Sequence, residues 1–272
     1  MAFTIVSFHA HPDDEALLTG GTLARAAADG HRVVLVTATD GAAGLTSPAL
    51  TSSALTSPAL TSSALGKPAH LGQQRLAELE KAAAALGCQR VIALGYPDGN
   101  FSSVDPAIAT QRLAGILEEE SADAVTIYDP AGGYGHPDHV QVHEVGKAAA
   151  RLAATPVVLE ATVDRQLILA AVRAVRLIPG AVKVRPADFA DAYTARRDIT
   201  HRVDVRNFVP QKRQALAAHQ SQTVGGSGGR TLSLLLGLPG FLAARALGYE
   251  WFVEHGRTAT KPALDDIFAS LR

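Results

Sequence analysis

The chain of 272 residues is 47% hydrophobic and 19% charged, which excludes a disordered polymer and leaves ample material for a packed core. Its 25 basic and 26 acidic residues give a net charge of −1, so neither a nucleic-acid surface nor an anionic-membrane surface is expected. The single cysteine, Cys88, excludes an internal disulfide framework, and a strand pattern rather than a secretory leader follows Met1, so a cytoplasmic protein is expected.

Along the first half, short apolar runs alternate with helical periodicity. FTIVSF (3–8), HRVVLVTAT (31–39), RVIAL (90–94), DAVTIY (123–128) and PVVLEA (156–161) read as buried strands. Between them, 15–30, 71–87, 106–121 and 137–154 read as helices; the second carries Leu76, Leu79, Ala83 and Leu86 on one face and stops at Gly87. This alternation predicts an α/β fold, a Rossmann-like, doubly wound, mostly parallel sheet of order 3-2-1-4-5.

The second half is less regular. It predicts a helix over 164–175, a strand over 198–205, a helix from about Val209, a late strand over 249–256 and a terminal helix over 263–272. No composition shift marks a linker. The expectation is one domain over 1–272, with a core at 1–160 and an α/β extension at 161–272 that completes the site. The run Thr231–Leu247 is apolar but broken by Gly237, Pro239 and Arg245, which argues against stable membrane insertion. It is the candidate surface for a homo-oligomer. Residues 45–65 repeat a five-residue unit four times, a period fitting neither helix nor strand, and read as a flexible surface loop with a lid as the sharper alternative.

Two stretches concentrate His, Asp and Pro: HAHPDDE (9–15) after the first strand and GGYGHPDHV (132–140) after the fourth. In a 3-2-1-4-5 sheet these strands are neighbours and the strand order reverses between them, where such folds bind ligands. His11 and Asp14 are three apart, as are His136 and His139. Two imidazoles and a carboxylate make a catalytic zinc set, though Fe(II), Co(II) or Mn(II) suit similar donors. A cation would also offset the repulsion among Asp13, Asp14 and Glu15. Glu15 is expected to cap the helix, and His9, His31, His70, His143, His201 and His255 to be structural.

AHPDDE with GHPDH closely resembles the LmbE-like (PIG-L) de-N-acetylases, and GYPDG, AAHQSQ and YEWF follow in the order such proteins show. The resemblance implies a zinc-dependent hydrolase that removes an acetyl or other acyl group from an amino sugar or glycoconjugate through a metal-activated water. It implies His11, Asp14 and His139 as metal ligands and Asp13 as general base. His136 becomes the oxyanion stabiliser or acid, Asp138 its orienting carboxylate, and Tyr134 a mobile group on the amide carbonyl. Arg75, Asp98 and His219 fall at substrate-contacting positions. One departure is Ala42 and Ala43 in DGAAG, where relatives often carry an acid. The alternatives are an amidase of mycothiol conjugates, a natural-product tailoring deacetylase, and a non-catalytic sugar- or metal-binding module.

Overall fold

The computed structural model describes residues 1–41, 67–176, 185–223 and 236–272. The 45–65 repeat, Ala42, Ala43 and the His70 side chain lie outside the described residues.

In chain order the elements are β1 (Thr4–His9), α1 (Asp14–Leu18), α2 (Gly20–Ala28), β2 (Arg32–Thr39), α3 (Lys67–Leu86), β3 (Arg90–Tyr96), α4 (Pro106–Glu119), β4 (Ala124–Tyr128), α5 (Pro137–Leu152), β5 (Val157–Thr162), α6 (Arg165–Val175), β6 (His201–Asp204), α7 (Val209–Ala218), α8 (Gly240–Leu247) and β7 (Tyr249–Glu254). The strands make a mostly parallel seven-stranded sheet in the order β3-β2-β1-β4-β5-β7-β6. The expected order 3-2-1-4-5 is present, and the second half adds β7 and β6, each antiparallel to its neighbour.

The chain divides into two compact units, and each draws on segments from both sides of residue 160. One comprises 1–8, 102–204 and 249–272. In it β1 and β4 run parallel in register (Ile5 with Ala124, Ser7 with Thr126), and β4 runs parallel to β5. All five β4 residues are buried, as a strand covered on both faces requires. The other unit comprises 9–101 and 205–248. Here Leu79 and Ala83 of α3 pack on Leu35 of β2, with Leu76, Cys88 and Val91 at the margin. Burial pushes the Cys88 thiol up to about 12, so it stays protonated and inert.

Two expectations fail for identifiable reasons. The helix read over 15–30 breaks at Thr19, whose N–H closes α1 on the Glu15 carbonyl while its own carbonyl starts α2 at Leu23. The terminal helix read over 263–272 is reduced to one 3₁₀ turn, Ala269–Leu271. Leu264 instead exchanges backbone hydrogen bonds with Thr200 and Arg202, and Asp265 accepts from the Asp204 N–H. β6 is the sheet edge, and pairing its exposed groups outweighs local helix propensity. Among the described residues no helix is long and apolar enough to cross a membrane. In the described part of the apolar run, Phe241 and Leu242 of α8 are exposed.

Candidate active site

β1 and β4 are parallel neighbours, so their carboxyl ends point the same way, and each is followed by one His-Pro-Asp turn. The two turns are built differently.

In the first, Asp13 adopts φ 117°, ψ −27°, a left-handed conformation that costs a non-glycine residue about 1–3 kcal/mol. Surrounding bonds impose it. The Asp13 N–H donates to Glu15 Oε2 (2.9 Å), and Glu15 Oε1 meets His219 Nε2 at 2.6 Å, both side chains fully buried. Arg75, on α3 and 3% exposed, donates to the carbonyls of Pro12 (2.8 Å) and Gly41 (2.5 Å). Its guanidinium also lies 3.6 Å from Asp13 Oδ2 and 3.7 Å from Asp98 Oδ2. Gly41, at φ +71°, favours glycine, and a Cβ there would stand 2.7 Å from the Arg75 guanidinium, which would have to shift. Asp14 Oδ2 accepts from the His11 N–H (3.1 Å) and lies 3.3 Å from His11 Nδ1.

Charge follows from this packing. Desolvation, then the Asp14 carboxylate, push the Asp13 carboxyl up to about 7 against the pull of Arg75 and His219. For Glu15, desolvation alone would raise the pKa; the charge and hydrogen bond of His219 outweigh it and hold the carboxyl below its usual range. Desolvation likewise opposes protonation of His219, and Glu15 outweighs it, raising the imidazole.

In the second turn, Asp129 follows β4 fully buried and accepts from the Gly133 N–H (2.8 Å) and the Thr162 hydroxyl (2.5 Å). This fixes a glycine corner that leads into α5. His136 is the N-cap of α5 and Pro137 its first residue. His136 Nδ1 accepts from the Asp138 N–H (3.2 Å), so the neutral ring carries its proton on Nε2. Asp138 is fully buried, and its Oδ1 accepts from the Ser102 N–H (2.8 Å). The His139 ring stacks on Tyr128 at 4.0 Å, and its Nδ1 donates to the Gly132 carbonyl (3.2 Å), which leaves the lone pair on Nε2. Tyr134 is 59% exposed, with ring centroids 6.0 Å from His136 and 5.4 Å from His139.

The first turn thus gathers His11, Asp13, Asp14, Arg75 and Asp98, and the second Tyr134, His136 and His139. Two of the residues expected at the substrate are buried among protein partners. Arg75 donates to two backbone carbonyls and lies beside two carboxylates, and His219 meets Glu15 through Nε2. Sequence reasoning missed Asp129, although an acid directly after a buried strand and before paired glycines was a usable signal. His9, His31, His143 and His201 are buried, in keeping with structural roles, whereas the His255 side chain is 57% exposed.

The family described as GlcNAc-PI de-N-acetylase, PIG-L, matches residues 6–150. The chain belongs to this family. A 1D-myo-inositol 2-acetamido-2-deoxy-alpha-D-glucopyranoside deacetylase of Saccharomonospora viridis is 37% identical over 241 residues, 80% of this chain and 84% of that protein. The PIG-L fold is matched by N,N'-diacetylchitobiose deacetylase from Pyrococcus horikoshii, with a TM-score of 0.58 and 19% identity over 93% of this chain and 84% of that one. It is matched as well by GalB, the 4-carboxy-2-hydroxymuconate hydratase of Pseudomonas putida, with a TM-score of 0.60 and 15% identity over 95% and 98%. A hydratase and a deacetylase share the architecture, so the reaction must be read from side chains.

Proposed function

We propose that this chain is a metal-dependent deacetylase that hydrolyses the N-acetyl group of a 2-acetamido-2-deoxyglucosyl-inositol. Water's hydroxyl joins the acetyl carbon, the C–N bond breaks, and the proton ends on nitrogen, giving acetate and a free amine. The observation that carries the reading is the first turn, where Asp13 is held beside a His11–Asp14 pair. The named activity of the Saccharomonospora viridis relative supplies the substrate class.

His11, Asp14 and His139 would hold the metal, and two observations support this reading. The 3.3 Å between His11 Nδ1 and Asp14 Oδ2 is about the edge of a tetrahedron with bonds of ~2.0–2.1 Å. The Gly132 carbonyl fixes His139 with its Nε2 lone pair outward. Zinc suits this set best, and Fe(II), Co(II) or Mn(II) are accepted by the same donors. A cation so held lowers the pKa of water and polarises a carbonyl. Asp13 takes the water's proton. His136 presents Nε2–H to the developing oxyanion and stays neutral, the proton held on Asp13 passes to the departing nitrogen, and Asp138 fixes the start of α5 and so the position of the His136 ring. Tyr134, on the exposed turn, donates its hydroxyl to the amide carbonyl. The free thiol Cys88 supports a reducing, cytoplasmic setting.

The test is release of free amine from N-acetylglucosaminyl-inositol, N-acetylglucosamine and an acylated glycopeptide, before and after chelation with verified metal removal. Release from the inositol conjugate alone, lost on chelation and restored by Zn²⁺, is expected. Turnover that persists without metal sinks the mechanism, and a preference for the glycopeptide sinks the substrate.

A further inference from the structure

Asp98 lies just beyond β3, in the Pro97-Asp98-Gly99 corner, with only 7% of its side chain exposed. Its Oδ1 is 3.2 Å from His11 Nε2, and its Oδ2 is 3.7 Å from Arg75 Nη1. The other nitrogen of the same ring, Nδ1, faces Asp14 Oδ2 at 3.3 Å. One imidazole is therefore flanked by two carboxylates. A neutral imidazole has one N–H and one lone pair, and a lone pair directed at a carboxylate is repelled unless a cation stands between them.

Which side takes the cation is decided by the neighbours. The Arg75 guanidinium already stands beside Asp98, where a second positive charge would be repelled. Asp14 Oδ2 is oriented by the His11 backbone N–H at 3.1 Å. The lone pair of Nδ1 and the Asp14 oxygen thus face the metal position, and Nε2–H points at Asp98.

We propose that Asp98 is a positioning residue for the metal. It receives the Nε2–H of His11, fixes the tautomer that makes Nδ1 a ligand, and raises the basicity of that nitrogen. Arg75 ties Asp98 to Asp13, so the carboxylate behind the metal ligand and the carboxylate of the general base share one guanidinium. The role rests on the metal reading above; one oxygen is turned to His11 and the other to Arg75, and a sugar contact by the same carboxylate is a separate role that the experiment distinguishes.

The experiment measures Zn²⁺ affinity of the metal-stripped chain by competition with a chromophoric chelator, for wild type, Asp98→Ala and Asp98→Asn. Folding is checked by circular dichroism, and the Co²⁺ absorption of each loaded protein is recorded. Asp98→Ala is expected to bind Zn²⁺ about 10–100-fold more weakly, with the Co²⁺ band shifted but present. Asp98→Asn, which keeps an oxygen for Nε2–H, falls between Ala and wild type and carries the test if the alanine variant does not fold. Unchanged affinity in both variants together with a raised KM would make Asp98 a substrate contact and overturn the proposal while the metal reading stands. Abolished binding in Asp98→Asn would make Asp98 a ligand, which also overturns it. A wild-type chain that binds no Zn²⁺ removes the metal reading itself, and this role with it.

Discussion

HPDD (11–14) and HPDH (136–139) share three letters and are held by opposite means. The first turn is held by charge from far along the chain: Arg75 reaches the Pro12 carbonyl, and His219 reaches Glu15 across 204 positions. The second is held mainly by local backbone chemistry, through a glycine corner pinned by Asp129, an N-cap, and a proline at the first position of α5, with Thr162 on Asp129 and the Ser102 N–H on Asp138 as uncharged ties from further away. The difference follows from what each turn must present. A carboxylate poised as a base needs a strained backbone and nearby charges to set its affinity for protons. A pair of imidazoles needs only fixed tautomers, which carbonyls and amides supply.

Substitutions that remove chemistry from either turn should have the largest effects. His139→Ala is expected to lose both bound metal, read by elemental analysis, and turnover, read by amine release; full metal occupancy in that variant would sink the ligand assignment. Asp13→Ala should keep its metal and lose about 10²–10⁴ in kcat. His136→Ala should also keep its metal, with a smaller loss of about 10²–10³ in kcat. If Asp13→Ala and His136→Ala instead shed the metal, the division of labour between the ligands and the base and oxyanion donor fails.

The supports of the two turns should separate in stability. Removing one partner of a buried ion pair leaves the other charge uncompensated, at about 3–5 kcal/mol. His219→Ala should therefore lower the unfolding free energy by that order in a denaturant titration. Pro137→Ala, on the locally held turn, should change it by less than about 1 kcal/mol, because α5 keeps its His136 cap and first-turn Asp138. Equal losses in the two variants would erase the distinction.

What was legible in the sequence follows the same division. Strand–helix alternation and the positions of both motifs are local patterns, and they place the turns after β1 and β4. The second turn's construction is nearly readable, since Gly-Gly-Tyr-Gly before His-Pro-Asp spells a left-handed corner and a helix start. The first turn's construction is not. Arg75 is placed at the substrate by the family resemblance, and nothing in Gln74, Glu78 and Glu80 beside it points to the Pro12 and Gly41 carbonyls that it binds. His219 is placed at the substrate by resemblance, and the motif around it says nothing of its carboxylate partner 204 residues away. The lost terminal helix has the same cause: Leu264 answers to the unpaired edge of β6, which propensity does not register.

pH should sharpen the contrast with the smallest effect. The Glu15 carboxyl is held below its ordinary 4.5, so its contribution is present above that value and is lost as pH falls through the depressed pKa. The His219 imidazole is held above its ordinary 6.5, so its contribution is complete below 6.5 and is lost as pH rises through the raised pKa. Together they stabilise the first turn fully between about 4.5 and 6.5. Thermal unfolding of wild type and His219→Gln across pH 4–9 should therefore show a stability gap that is widest in that window and narrows toward alkaline pH. The gap between wild type and Pro137→Ala should stay flat, because no titrating charge holds the proline in place. A His219→Gln gap that is equally flat would mean that Glu15 and His219 share a hydrogen bond without a charge, and that the first turn is held by shape as the second one is.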